Sequence, residues 1–107
     1  MTITELTQIL DGAGLPYTYY SFPIGNAPEL SYFVYYLPSM TPEAADDAIH
    51  APVYDVIVEL YTKEKDFATE ARLENALSSF VYEKSETYLD DEEMYMVIYT
   101  FSEIITF

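Results

Sequence analysis

The chain has 107 residues, of which 50% are hydrophobic and 21% charged, and its 19 acidic residues against four Lys and Arg give a formal net charge of −15. This length fits a single domain over residues 1–107. The 12 tyrosines and six phenylalanines exclude a disordered acidic chain. The lack of cysteine excludes disulfide scaffolds, thiolate metal sites and cysteine nucleophiles.

The distribution of basic residues restricts the partners. They are Lys63, Lys65, Arg72 and Lys84, and residues 1–62 contain none. Phosphate groups and anionic membranes are bound by clustered Lys and Arg, so we expect neither sequence-specific nucleic acid binding nor membrane binding. The first residues lack the basic and apolar regions of a signal peptide, and we expect the protein to be made and used in a cytoplasm.

The N-terminal segment predicts a short amphipathic helix over residues 3–12. Its apolar residues fall on one face at helical period. Thr2 and Glu5 have the spacing of a capping box. Gly12 and Gly14 follow the last apolar residue and supply the stop.

Two aromatic segments then predict strands over residues 16–22 and 31–37, because Tyr, Phe and Val favour strands. A loop with Pro and Gly separates them. The two strands are close enough in sequence to pair as a hairpin with a long connection.

Residues 38–52 form the least regular stretch, with a proline near each end. Within it, Thr41, Pro42 and Glu43 favour the start of one helical turn. At about 15 residues the stretch exceeds an ordinary connection, so we expect it to be either functional or mobile.

A third strand is predicted over residues 53–62, where Val56, Val58 and Leu60 share one face. The opposite face carries the carboxylates of Asp55 and Glu59. Two explanations stay open for this mixed face. It is either partly solvated, as in a half-exposed antiparallel sheet, or it meets Lys or Arg of a neighbouring subunit, since buried carboxylates need partners.

The rest of the chain predicts a helix followed by two strands. Residues 63–66 form a polar turn, and Asp66 caps a helix over residues 67–79. Strands follow over residues 81–89 and 94–105. The order is therefore α-β-β-β-α-β-β. Short connections favour a mainly antiparallel sheet of about five strands with two helices on one face, an α+β fold.

Four acidic residues join the last two strands and form the densest charge cluster: Asp90, Asp91, Glu92 and Glu93. They lack the spacing and the glycine of a calcium loop. A solvated hairpin tip is therefore favoured over a metal site.

Asp46, Asp47 and His50 combine two carboxylates with the single histidine of the chain. General acid–base catalysis uses such groups, but no nucleophile, arginine clamp or phosphate-binding loop accompanies them, and one histidine does not form a multi-histidine metal site. A plain loop or an assembly contact is favoured over catalysis. No catalytic or nucleotide-binding motif occurs elsewhere, so we predict no enzyme activity, no cofactor and no metal.

The 12 tyrosines exceed what one small core buries, because each hydroxyl needs a partner or water. Tyrosine is enriched where proteins meet proteins. Without interleaved basic residues, aromatic side chains do not form a nucleic-acid platform. The surplus therefore favours protein–protein contact over ligand chemistry.

Four segments, taken together, resemble the small tail-completion proteins of long-tailed phages of Gram-positive bacteria, also known as tail terminators, minor capsid or head–tail joining proteins. They are GLPY at 14–17, APEL at 27–30, IVELYT at 57–62 before Lys65 and Asp66, and YEKSETY at 82–88 before Tyr95. Their order and spacing agree with this family over most of the chain. Residues 38–52 depart from its pattern.

The resemblance implies a fold and a role. The fold is an antiparallel sheet with helices, assembled head to tail as a homomeric ring of about six copies. The ring caps the tail tube, stops its polymerisation and docks to the head connector. The implied partners are further copies of the chain, the tail tube protein and the head connector protein, and the implied location is the head–tail interface of a virion assembled in the host cytoplasm.

Three groups of residues are the candidates for subunit or partner contacts in such a ring. They are Asp46, Asp47 and His50 in the 38–52 stretch, Lys63, Lys65 and Asp66 in the polar turn, and Asp90, Asp91, Glu92 and Glu93 at the hairpin tip. The basic turn is expected to meet an acidic surface of the next subunit. A charge of −15 per copy makes such an assembly dependent on salt.

An acidic DNA mimic that inhibits a nucleic-acid-binding host defence protein is the alternative, and the same charge supports it. Such a mimic is expected to carry carboxylates along one face like phosphates, whereas the acidic residues here are spread over helices, loops and strands. Tight binding to a basic nuclease would distinguish it from a ring protein. A small metal-assisted enzyme is a third, less favoured alternative, because no converging set of ligands is apparent.

Overall fold

A computed structural model describes residues 1–44 and 50–107, and within them it contains two helices and five strands. In chain order they are α1 (Ile3–Asp11), β1 (Tyr17–Tyr19), β2 (Tyr32–Ala44), β3 (His50–Thr62), α2 (Phe67–Ala76), β4 (Glu83–Leu89) and β5 (Met94–Ile104). The strands form one sheet in the order β1-β2-β3-β5-β4. The predicted element order is confirmed, although β1 is shorter and β2 much longer than expected.

Both helices begin at the capping residues predicted from the sequence. The backbone N–H of Glu5 donates to Thr2 Oγ1 at 3.1 Å, and the Thr2 N–H donates to the Glu5 carboxylate at 3.3 Å. At the start of α2, the Asp66 carboxylate accepts the N–H of Thr69 at 3.0 Å. These bonds satisfy N–H groups that have no partner inside a helix.

The core lies between the sheet and the two helices, which pack on the same face. Leu6 and Leu10 of α1 and Leu73 of α2 are fully buried in it. The strands contribute alternate residues: Phe33, Val56, Val58, Leu60, Val97, Tyr99 and Phe101. The two-layer α+β architecture is therefore confirmed, and so is the predicted apolar face of the third strand.

β1 and β2 do not form the expected hairpin but pair in parallel, with Tyr17 opposite Phe33 and Tyr19 opposite Tyr35. The three other strand pairs are antiparallel. The reason lies in the connection over residues 20–31. A strand that pairs in parallel with β1 must start at the same end as β1, so the connection has to run back along the length of β1. This connection is long enough to do so, whereas a tight hairpin turn is not.

Residues 38–52 contain strand rather than the irregular stretch expected from the sequence. β2 runs to Ala44 and β3 starts at His50, and these two residues are the last pair of the β2–β3 ladder. The pairing of β3 with β5 begins at Val53. The ends of β2 and β3 therefore project beyond β5 as a two-stranded hairpin. We call this part, residues 41–44 and 50–52, the arm.

The helical turn expected at Thr41 and Pro42 is wrong, because these residues pair within β2 with Val53 and Pro52. A proline supplies no N–H to a ladder. Two prolines that face each other avoid this loss at a non-hydrogen-bonded position of an antiparallel pair. The Pro52 carbonyl accordingly points away from β2 and accepts the N–H of Ile105 at 3.3 Å.

Gly14 fixes the connection between α1 and β1. It has a φ of +68°, its carbonyl accepts a hydrogen bond from Arg72 Nη2 at 2.8 Å, and a Cβ on it would lie 3.0 Å from that nitrogen. We expect Gly14→Ala to lower the free energy of unfolding by about 1–2 kcal/mol in urea denaturation. Gly25→Ala is the matched control, since its φ is +81° but its Cβ would meet nothing within 4 Å. Equal losses in the two variants would show that the Arg72 contact contributes nothing.

Candidate functional site

The sheet face opposite the helices, which we call the open face, combines apolar and polar side chains. The residues that point to it alternate with core residues along the three central strands: Val34 and Tyr36 of β2, Ile57, Glu59 and Tyr61 of β3, and Met96 and Ile98 of β5. Most of them are half-buried by their neighbours. The face is therefore mainly aliphatic and aromatic, with the half-buried carboxylate of Glu59 among these side chains. Asp55 of β3 also points to this face, but it is exposed and accepts hydrogen bonds from Ser39 and Ser102.

Glu59 is held by two tyrosine hydroxyls. Tyr36 Oη donates to Oε2 at 2.8 Å, and Tyr61 Oη donates to Oε1 at 2.7 Å. Burial, together with the hydrogen bond to Glu59, raises the pKa of Tyr36 to about 12. The same two causes raise the pKa of Tyr61. Both hydroxyls are therefore neutral donors at physiological pH, and neither neutralises the charge of the carboxylate.

An aromatic groove of about 180 Å³ adjoins this cluster and includes Tyr61 in its lining. The connection between β1 and β2 forms its wall. Tyr20 lies edge-on to Tyr36 with ring centroids 5.3 Å apart, and Phe22 lies edge-on to Tyr32 at 5.2 Å. Such offset aromatic pairs stabilise a surface beyond the area that they bury. The groove extends the open face and gives it a fixed wall on the β2 side.

Burial is the largest cause of a raised pKa at Tyr17, Tyr35, Tyr36, Tyr61 and Tyr99. In a titration followed at about 295 nm, we expect part of the phenolate absorbance to appear only above pH ~10, whereas in guanidinium chloride all 12 tyrosines ionise together. Because the unfolded chain loses these protons first, the stability that they contribute is complete below about pH 10 and falls as pH rises toward 12. Coincident titrations in the two solvents would contradict this expectation.

The predicted contact residues that the structure describes lie at opposite ends of the sheet. His50 begins β3 within the arm, whereas Asp46 and Asp47 lie outside the described residues. Thr62, at the other end of β3, pairs with Tyr95. That end therefore carries both the turn with Lys63, Lys65 and Asp66 and the exposed tip with Asp90, Asp91, Glu92 and Glu93.

Lys65 is engaged within the chain. It forms ion pairs with the buried Glu70 at 2.6 Å and with Glu86. Lys84 lies 2.8 Å from Glu70 and 2.8 Å from Glu74. Burial lowers the pKa of Lys65 and Lys84, but the hydrogen bonds to their carboxylate partners raise both pKa values on balance. This network joins α2 to the edge strand β4, so Lys65 has a structural role in addition to any contact with a neighbour.

The grouping of Tyr36, Glu59 and Tyr61 was not predicted as a site. Tyr61 lies two residues after Glu59 in one strand and therefore shares its face, which the alternation of the sequence indicates. Tyr36 belongs to another strand, and its place beside Glu59 depends on the β2–β3 register, which alternation alone does not determine.

Within residues 1–42 and 51–107, no three acidic or histidine side chains are grouped so that they could hold a metal ion. Neither α1 nor α2 combines the length and the apolar character that crossing a membrane requires.

The fold is similar to that of one chain in a structure of the virion of a native gene transfer agent particle. The two chains share 16% sequence identity, the match covers 91% of this chain and 81% of that chain, and the TM-score is 0.54. At this identity the likeness establishes a shared fold. No protein-family model matches the sequence, and no curated protein shows significant similarity to it.

Proposed function

We propose that the protein is a structural virion protein, the subunit of a tail terminator or head–tail joining ring that caps a tail tube and docks to a head connector. The observation that supports this most directly is the likeness of its fold to a chain of the gene transfer agent virion. The four segments that resemble tail-completion proteins point to the same role. The role is structural rather than catalytic.

A ring requires two unlike surfaces on each subunit, because its contacts run head to tail. The arm and the end of the sheet with residues 63–66 and 90–93 are two such surfaces, since they lie at opposite ends of β3. We assign the arm, with His50, to the contact between neighbouring copies. We assign the exposed turn, with Lys63, to the surface of the next copy that the arm contacts, and the tip to the tail tube or the head connector.

The net negative charge of each copy makes ring assembly depend on the salt concentration. Each copy carries −15, and Lys65 and Lys84 are already ion-paired inside the subunit. Copies therefore repel one another at low ionic strength, and salt must screen this repulsion before apolar contacts can hold a ring. We expect subunits of low mass in dilute buffer and a hollow ring of about six copies as the salt concentration rises.

Native mass measured by light scattering from about 0.02 to 1 M NaCl, with negative-stain images of any large species, tests the proposal. A hollow ring whose population grows with salt supports it. A monomer at every salt concentration contradicts it, and tight binding of that monomer to a basic nuclease would favour the acidic DNA mimic instead.

A further inference from the structure

The open face carries a half-buried carboxylate, that of Glu59, which no cation of residues 1–42 and 51–107 neutralises. Glu59 lies on β3 between Val34 of β2 and Ile98 of β5. Its two hydrogen-bond donors, Tyr36 and Tyr61, are uncharged. The ion pairs of the described residues all involve other carboxylates.

Any protein that covers this face removes water from the Glu59 carboxylate, so the chemistry of that protein decides whether the contact is favourable. A wholly apolar partner would strip water from Glu59 without supplying a counter-charge, which is strongly unfavourable. A carboxylate has about four acceptor positions, so two tyrosine hydroxyls leave room for a further donor. An arginine guanidinium fits this setting, because it donates two parallel hydrogen bonds to a carboxylate and stacks on tyrosine rings.

We propose that the open face binds a segment of another protein that presents one arginine among aliphatic side chains. The guanidinium pairs with Glu59 and lies against the rings of Tyr36 and Tyr61. The flanking aliphatic side chains contact Ile57 and Ile98, which are half-buried neighbours of Glu59 on this face. An arginine at the centre of an apolar contact is a common centre of binding energy in protein interfaces.

Charge complementarity identifies the occupant as a different protein rather than a second copy. A second copy would bring 19 acidic residues and four basic ones to the face. Lys65 and Lys84 are ion-paired internally, and the one arginine of the chain, Arg72, donates to the Gly14 carbonyl at 2.8 Å. The remaining basic residue is Lys63, whose ammonium group lacks the planar donors of arginine.

This docking requires neither a ring nor a virion, so it stands apart from the proposed function. Within that function, the segment would belong to the tail tube or the head connector rather than to the ring itself. The chemistry of the segment is the same in either case.

The probe is a pair of synthetic peptides, Val-Leu-Arg-Leu-Val amide and the same peptide with citrulline, the uncharged isostere, in place of arginine. In two-dimensional NMR of the ¹⁵N-labelled protein, we expect the arginine peptide to shift the amides of residues 57–61 and 96–100. We expect the citrulline peptide to bind about tenfold more weakly. The difference between the two affinities measures the contribution of the guanidinium charge, because the two peptides have the same shape.

Glu59→Gln should weaken binding of the arginine peptide by about tenfold and leave binding of the citrulline peptide nearly unchanged. Glutamine keeps the shape of the side chain, and the dispersion of the NMR spectrum reports whether the variant is folded. Glu92→Gln removes the same charge from the exposed tip and should leave both affinities within about twofold.

Equal affinity for the two peptides, or no loss in Glu59→Gln, overturns the proposal. Millimolar peptide without shifts on the open face does so too. Shifts of the same amides that grow with protein concentration in the absence of peptide would identify a second copy as the occupant. The native mass of Glu59→Gln across the salt series is measured separately, so that a failure of docking and a failure of ring assembly are distinguishable.

Discussion

Replacing Lys65 and Lys84 together with methionine is expected to lower the free energy of unfolding by about 3–5 kcal/mol at neutral pH. Glu70 is the reason. Its side chain is almost fully buried, and its two oxygens lie 2.6 Å from Lys65 Nζ and 2.8 Å from Lys84 Nζ. Methionine keeps the apolar stem of lysine but lacks the charge. The double variant therefore leaves a buried carboxylate without a cation.

Two further variants make the measurement specific. Lys63→Met removes a lysine that is exposed and forms no ion pair with any described residue, so it should change the stability by at most about 0.5 kcal/mol. Adding Glu70→Leu to the double variant removes the stranded carboxylate and should restore most of the loss, because apolar groups can replace a buried ion pair at little cost. Urea denaturation followed by circular dichroism gives these free energies. A triple variant no more stable than the double variant would contradict the explanation.

The parts of the fold that the sequence predicted depend on residues close together in the chain. Thr2, Glu5 and Asp66 act within one turn of the helices that they cap. Val56 and Val58 share a face because side chains alternate along any strand. Such features need no knowledge of the rest of the molecule, and the structure shows them where the sequence placed them.

The parts that could not be predicted depend on register between distant segments. The β2–β3 register shifts between Tyr36 and Ser39, and this shift lets β2 continue past Pro38 into the arm. Proline is uncommon inside strands, so the prolines of residues 38–52 led to the prediction of an irregular segment there. Tyr36, which donates to Glu59, and the two lysines that pair with Glu70 also lie on other segments, so local patterns did not predict these contacts. The sequence therefore indicated the layers of the fold but not which polar side chains meet across them.

Shortening the arm is expected to abolish ring assembly while the fold is kept. The change replaces residues 42–52 with Asn-Gly. Pro42 and Pro52 occupy a non-hydrogen-bonded pair, so the preceding pair, Thr41 and Val53, is a hydrogen-bonded one. A two-residue type I′ turn requires such a pair at its base, and Asn-Gly is its preferred sequence. The shortened hairpin therefore closes without strain.

Pro42 is exposed, whereas Pro52 is half-buried and accepts the N–H of Ile105. The shortened variant should therefore lose about 1–2 kcal/mol of the free energy of unfolding and stay folded. Its native mass should stay that of a monomer at salt concentrations where the parent forms rings, because the contact assigned to the arm is gone. In the companion variant, residues 45–49 are replaced with Gly and Ser at constant length. This variant keeps the length of the arm and removes the carboxylates of Asp46 and Asp47, so it tests the two properties separately. A ring formed by the shortened chain would exclude the arm as the subunit contact. A ring formed by the companion variant alone would show that the reach of the hairpin, and not the two carboxylates, holds the copies together.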